Sequence, residues 1–144
     1  RSKVVILADS HGKDLYHNMP ALFQDFDTFV FSQPGATLKQ VLKGGHPKIT
    51  SLTEDDFIVV AAGTNDIGQY EPGYVTVNQG IKELLAWKTE AKVFFLDIPY
   101  RYDMPRFNND IFYTNMAIRK TITDYVGPLR INSLHVNELL VRPH

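Results

Sequence analysis

Three short polar clusters in this chain each follow an apolar run. Asp9-Ser10-His11-Gly12 follows residues 4–8, Gln33-Pro34-Gly35-Ala36 follows residues 29–32, and Gly63-Thr64-Asn65-Asp66 follows residues 57–62. A serine hydroxyl is a poor nucleophile until a base takes its proton. It also needs fixed donors for the negative charge that builds on the attacked carbonyl oxygen. Ser10 offers the hydroxyl. The backbone amide of Gly35 and the side-chain amide of Asn65 are donors of the kind that form an oxyanion hole, and glycine at position 35 lets the backbone approach a substrate closely. Asp9, His11 and Gly63 adjoin these groups and are expected to line the substrate site. Asp66 reads as a turn or capping acceptor rather than an acid catalyst.

The elements that would position these groups follow from hydrophobic patterning. Strands are expected over residues 3–8, 28–32, from Asp55 or Asp56 to Ala62, 92–98 and 129–132. A helix is expected over residues 13–23, with Pro20 able to kink it. Thr37 can cap a short helix running to Leu42, which Gly44-Gly45 would end. Val77, Ile81, Leu84 and Leu85 recur at helical spacing and predict a helix over residues 75–89. Ile111, Ile118, Ile122 and Tyr125 mark another that ends near Gly127-Pro128, and a last helix is expected over residues 133–141. Strands alternating with helices imply βαβ units, hence a three-layer α/β/α sandwich around a mostly parallel five-stranded sheet. Ligands bind such sheets at the carboxyl ends of the strands, where all three polar clusters fall.

The chain has 144 residues, enough for one domain and its core. Lys plus Arg number 15 against 16 Asp plus Glu, so the net charge of −1 gives no overall field for nucleic acid. There is no cysteine, which excludes a disulfide scaffold and cysteine-based metal sites. The five histidines lack metal-ligand spacing, and neither a metal nor a cofactor is expected. No apolar run approaches a membrane span, and Arg1-Ser2-Lys3 leads straight into a strand rather than a signal peptide, which favours an intracellular setting. The sequence does not define an oligomeric state.

The three clusters, taken in order and each after a strand, resemble the conserved blocks of the SGNH (GDSL-like) hydrolases, a superfamily of serine esterases and lipases. Ala8-Asp9-Ser10 is similar to the first block, Gly35 to the glycine of the second, and Gly63-Thr64-Asn65-Asp66 matches the third. The resemblance implies an SGNH-hydrolase fold, related to the flavodoxin-like arrangement, for residues 1–144 as a single domain. It implies Ser10 as nucleophile, with the amides of Ser10, Gly35 and the Asn65 side chain around the oxyanion. A small-molecule or lipid-like ester is the implied substrate.

The family's last block, Asp-x-x-His, has no clear counterpart. No aspartate follows Asp124, and Val141 stands three residues before His144. Asn132-Ser133-Leu134-His135 is a degenerate version, in which asparagine could orient the imidazole but not offset its charge. Three expectations follow: His135 is the base, the Asp-x-x-His segment lies beyond His144, or the protein has lost it. His11 is too close to Ser10 along the chain for a triad, and His17 and His46 read as surface or loop residues.

Residues 100–109 read as an exposed loop, and Arg101 within it is expected to contact substrate. Its two arginines and its aromatics could also form a stacking and phosphate-contact surface. The alternative to an esterase is therefore an inactive SGNH-like module that binds RNA or protein, since domains of this kind also occur as modules of larger proteins. A flavodoxin-like nucleotide binder is disfavoured because no glycine-rich phosphate loop follows the first strand.

Overall fold

Val5 and Leu7 on one side of the first strand, and Val4, Ile6 and Ala8 on the other, are all buried. A parallel strand covered on both faces requires this, which is why the run is apolar without alternation. The computed structural model describes residues 1–10 and 24–139. Five strands, β1 (Lys3–Ala8), β2 (Asp27–Ser32), β3 (Phe57–Ala61), β4 (Lys92–Leu96) and β5 (Ile131–Leu134), form one sheet in the order β2-β1-β3-β4-β5. Every pairing is parallel. Ala8 is level with Ser32 on one side and Ala61 on the other, so β1, β2 and β3 end together.

Three helices, α1 (Leu38–Gly45), α2 (Gly73–Leu85) and α3 (Asn108–Asp124), follow β2, β3 and β4. Each connection steps in the same direction across the sheet, so right-handed crossovers place all three on one face. Their apolar sides meet Val5, Leu7, Ile58, Val60, Val93 and Phe95 in the main core. Fully buried side chains such as Ile58, Ile81 and Phe95 each stabilise the fold by about 1.5–3 kcal/mol. On the other face Val136, from the short helix α4 (Val136–Leu139), packs with Val4, Ile6, Ala8, Val59 and Leu96. The expected helix over residues 13–23 lies outside the described residues, as does the end of the last helix beyond Leu139. Among the described residues no helix is long and apolar enough to cross a membrane.

Thr37 caps α1 through a reciprocal pair: the Gln40 amide donates to Thr37 Oγ1 at 3.4 Å and the Thr37 amide to Gln40 Oε1 at 2.9 Å. The helix does not stop at Leu42. It runs through Gly44-Gly45 into a 3-10 turn at His46–Lys48. Helix α2 starts at Gly73, ahead of Val75, because the Asp110 carboxylate on α3 accepts the Gly73 amide at 3.1 Å. It ends at Leu85 rather than Thr89, where the Ala86 and Trp87 amides turn back to the Glu83 and Leu84 carbonyls. The expected loop over residues 100–109 contains a 3-10 turn, Pro105–Phe107, and the first turn of α3.

The last strand is displaced by two residues from the expected 129–132. The Leu129 amide donates to the Tyr125 hydroxyl, and the ladder begins with Val93 N–H donating to the Arg130 carbonyl. It runs on until the Asp97 amide donates to the Leu134 carbonyl at 2.9 Å, so Ser133 and Leu134 are strand and not the start of a helix. At the opposite edge, Asp56 is buried and accepts the Lys3 and Thr53 amides at 2.9 and 2.8 Å. Burial pushes its carboxyl upward, but these amides, the Thr53 hydroxyl and the Lys3 charge outweigh it and hold it below the ordinary value.

Candidate active site at the carboxyl edge of the sheet

The order of strands reverses beside β1, so its carboxyl end opens onto the crevice where parallel sheets take ligands. Ser10 is exposed just past this end. The Gln33 amide donates to the Ala8 carbonyl at 2.9 Å and the Asp9 amide to the Ala61 carbonyl at 3.3 Å, which joins the exits of β2 and β3 to that of β1. The Gly35 turn therefore stands on one side of Ser10 and the Gly63–Asp66 turn on the other.

Gly35 is exposed with φ 78°, and a Cβ there would meet no atom within 4 Å. It requires glycine for its backbone conformation, not for space. Gly63 is buried with φ 131°, and a Cβ would come within 2.9 Å of Ile98 Cδ1. That turn leads into a 3-10 turn, Thr64–Asp66. From it the Asn65 side-chain amide reaches across the end of β1 and donates to the Ala36 carbonyl at 2.9 Å. Asp66 Oδ2 accepts the Leu38 amide at 2.9 Å, at the start of α1. Adjacent residues on the β3 exit thus hold both flanks of the segment after Gly35.

Asp9 and Asp66 are both buried here, each with about 1% of its surface exposed. Burial pushes the Asp66 carboxyl above its ordinary value; the Leu38 amide and the Thr76 hydroxyl pull it back, and the neighbouring Asp9 charge adds to the upward push. Asp66 is the capping acceptor its position suggests, serving a helix whose first residue lies 28 positions earlier in the chain.

No protein-family model matches the sequence, and no curated protein matches it. Solved structures do. A member of the lipolytic G-D-S-L family from Veillonella parvula superposes with a TM-score of 0.70 at 12% identity, over 96% of this chain and 81% of that one. A GDSL-like lipase from Bacteroides thetaiotaomicron gives 0.60 at 17%, over 92% and 68%. A psychrotrophic esterase from Pseudoalteromonas sp., solved inhibited by monoethylphosphonate, gives 0.57 at 16%, over 93% and 78%. The chain has the SGNH-hydrolase fold. Its likeness to these SGNH esterases and lipases is one of architecture, spanning nearly the whole chain.

The SGNH architecture brings Ser10, Gly35, Gly63 and Asn65 to three adjacent strand ends. His135 follows β5, which is three strands from β1. At about 4.8 Å per strand this is a lateral separation of roughly 14 Å. His11 lies outside the described residues, as do His17 and His144. Arg101 is held by the loop: it pairs with Asp103 at 2.9 Å, and its guanidinium lies 6.0 Å from the centre of the Phe107 ring. Arg106 approaches the same ring at 4.7 Å, and the ring rests against Gly68. Among the described residues no three His, Cys, Asp or Glu side chains converge as a metal site would need.

Three asparagines that patterning did not single out hold the chain after β4. Asn115 bonds both the amide and the carbonyl of Ile98, at 2.8 and 2.9 Å. Asn137 bonds the Ile98 carbonyl and the Tyr100 amide, and Asn108 bonds both backbone groups of Arg101. Arg119 pairs at 2.6 Å with Asp97, whose side chain is wholly buried. Only the assembled sheet edge brings these partners together.

Proposed function

We propose that this domain is an SGNH-type serine hydrolase of carboxylic esters. Ser10 Oγ attacks the acyl carbon while its proton passes to a base. The ester C–O bond then breaks, the alcohol leaves with that proton, and water hydrolyses the acyl-enzyme by the reverse sequence. Charge on the tetrahedral oxygen is met by the Ser10 and Gly35 amides and the second N–H of the Asn65 side chain. The observation that carries this reading is the Asn65 side chain reaching from the β3 exit to the Ala36 carbonyl after β2, with Ser10 exposed just past the end of the strand between them.

The base is His135 or a histidine C-terminal to His144. Short-chain p-nitrophenyl esters test the reading on this chain, on one carrying the natural sequence C-terminal to His144, and on Ser10→Ala and His135→Ala variants. Turnover lost in Ser10→Ala supports it. Retention of that turnover in His135→Ala puts the base outside residue 135. The Pseudoalteromonas esterase is inhibited by monoethylphosphonate, and a reactive phosphonate that adds to Ser10, read by mass spectrometry, would report the nucleophile without regard to ester preference. Absence of both turnover and labelling in either chain overturns the proposal.

A second reading, an inactive module that binds RNA, is favoured by the exposed Tyr70 and Tyr102 and by the two guanidiniums on Phe107. It requires RNA binding that falls in Arg101→Ala or Arg106→Ala and is indifferent to Ser10→Ala.

A further inference from the structure

A cleft of about 640 Å³ runs from Ser10 down the outer side of the sheet, between edge strand β2 and helix α1. Ser10, Gln33 and Pro34 form its upper end, so it shares a wall with the oxyanion turn. Leu7, Phe31 and Val41 give it apolar sides. Its lower end is closed by Lys48, whose ammonium stands 5.0 Å from the centre of the Phe31 ring. Lys48 is exposed, and among the described residues no carboxylate pairs with it. Lys39, on the neighbouring helix, has Glu83 as its partner at 3.6 Å.

The strand register sets the scale of this arrangement. Phe31 is level with Leu7, three residues before Ser10. At about 3.3 Å per residue the backbone at Phe31 stands roughly 10 Å along the strand direction from that of Ser10, and the Lys48 ammonium lies by the Phe31 ring. A cleft with apolar sides, the Ser10 hydroxyl at one end and, at the other, an ammonium with no carboxylate partner among the described residues matches a chain that is apolar in its middle and anionic at its far end. An ammonium on an aromatic face is held in place while keeping its donors for an acceptor.

We propose that this cleft holds the acyl chain of the substrate and that Lys48 selects acyl groups ending in a carboxylate. The proposal rests on the hydrolase reading above and names its substrate class: half-esters of medium-length dicarboxylic acids. Suberate, whose extended carbon chain is about as long as the cleft, is the probe.

The p-nitrophenyl half-ester of suberic acid is compared with p-nitrophenyl octanoate, which has the same leaving group and chain length without the terminal charge. The ratio of their kcat/KM values is the readout. Lys48→Gln should lower this ratio about tenfold, the loss of one charge-assisted contact, and Lys48→Glu should lower it further. Lys43→Gln, which removes an exposed lysine outside the cleft, should leave it unchanged. A ratio unaltered in both Lys48 variants, or altered equally by Lys43→Gln, overturns the assignment. Calorimetric titration of Ser10→Ala with suberate and octanoate separates this proposal from the hydrolase reading. Suberate binding that is lost when Lys48→Gln is added, together with no ester turnover or phosphonate labelling of the protein that keeps Ser10, sustains the cleft and overturns the reaction. Ester turnover without Lys48-dependent selectivity sustains the reaction and overturns the cleft.

Discussion

The side-chain amide of Asn65 donates to the carbonyl of Ala36 at 2.9 Å, spanning from the exit of β3 to the exit of β2 over the end of β1. One N–H of that amide is thereby spent on fixing the turn after Gly35, and in the proposed mechanism the other is a donor to the oxyanion. Under that mechanism one side chain serves two donors, its own N–H and, through the Ala36 carbonyl, the Gly35 amide. Preorganised donors of this kind stabilise a developing oxyanion without reorganising.

Asn65→Ala should accordingly lower kcat for ester hydrolysis by about 10²–10³, the usual loss for one oxyanion donor, with a much smaller change in KM. Steady-state kinetics on the best p-nitrophenyl ester measure this. A rise in KM at unchanged kcat would place Asn65 in ground-state binding instead.

Gly35 and Gly63 are both glycines at positive φ beside the site, but substitution should affect them unequally. At Gly35 an alanine meets open space and incurs only the left-handed backbone strain, about 1–2 kcal/mol. At Gly63 it adds overpacking against Ile98, about 1–3 kcal/mol more. Urea unfolding of Gly35→Ala and Gly63→Ala should rank them in that order. Equal losses would mean that the Ile98 side chain moves aside at no cost.

The strands that end in chemistry were legible because a buried parallel strand is a continuous apolar run that stops abruptly, and the three polar clusters mark the stops. Of the two strands without such a marker, β5 was misplaced: Leu129 is buried and apolar, yet its amide bonds the Tyr125 hydroxyl and the ladder starts only with the Arg130 carbonyl. Thr37 was readable as a cap because its partner Gln40 is three residues away. The Asp110 cap on Gly73 was not, because it comes from another helix 37 residues on. The same holds for Asn115 on Ile98 and for Lys48 over Phe31. Their roles depend on tertiary neighbours that no local spacing announces.

Asp66 ties stability to pH. Its carboxyl is buried, accepts the Leu38 amide, and is raised from its ordinary value of 3.8 by burial and by Asp9. A carboxyl whose pKa is higher in the folded than in the unfolded protein keeps its proton longer when folded. Between the two pKa values the folded state binds more protons, so stability falls as pH rises through that window and levels off above it. Wild-type protein should therefore lose stability on passing upward from about pH 4 through the raised value. Asp66→Asn, which keeps an oxygen for the Leu38 amide but cannot ionise, should flatten that part of the profile. Asp9→Asn removes the neighbouring charge, so it should narrow the window from above. Denaturant unfolding at closely spaced pH values resolves the three profiles. A slope that persists unchanged in Asp66→Asn would assign the dependence to another group and leave Asp66 a simple cap on α1.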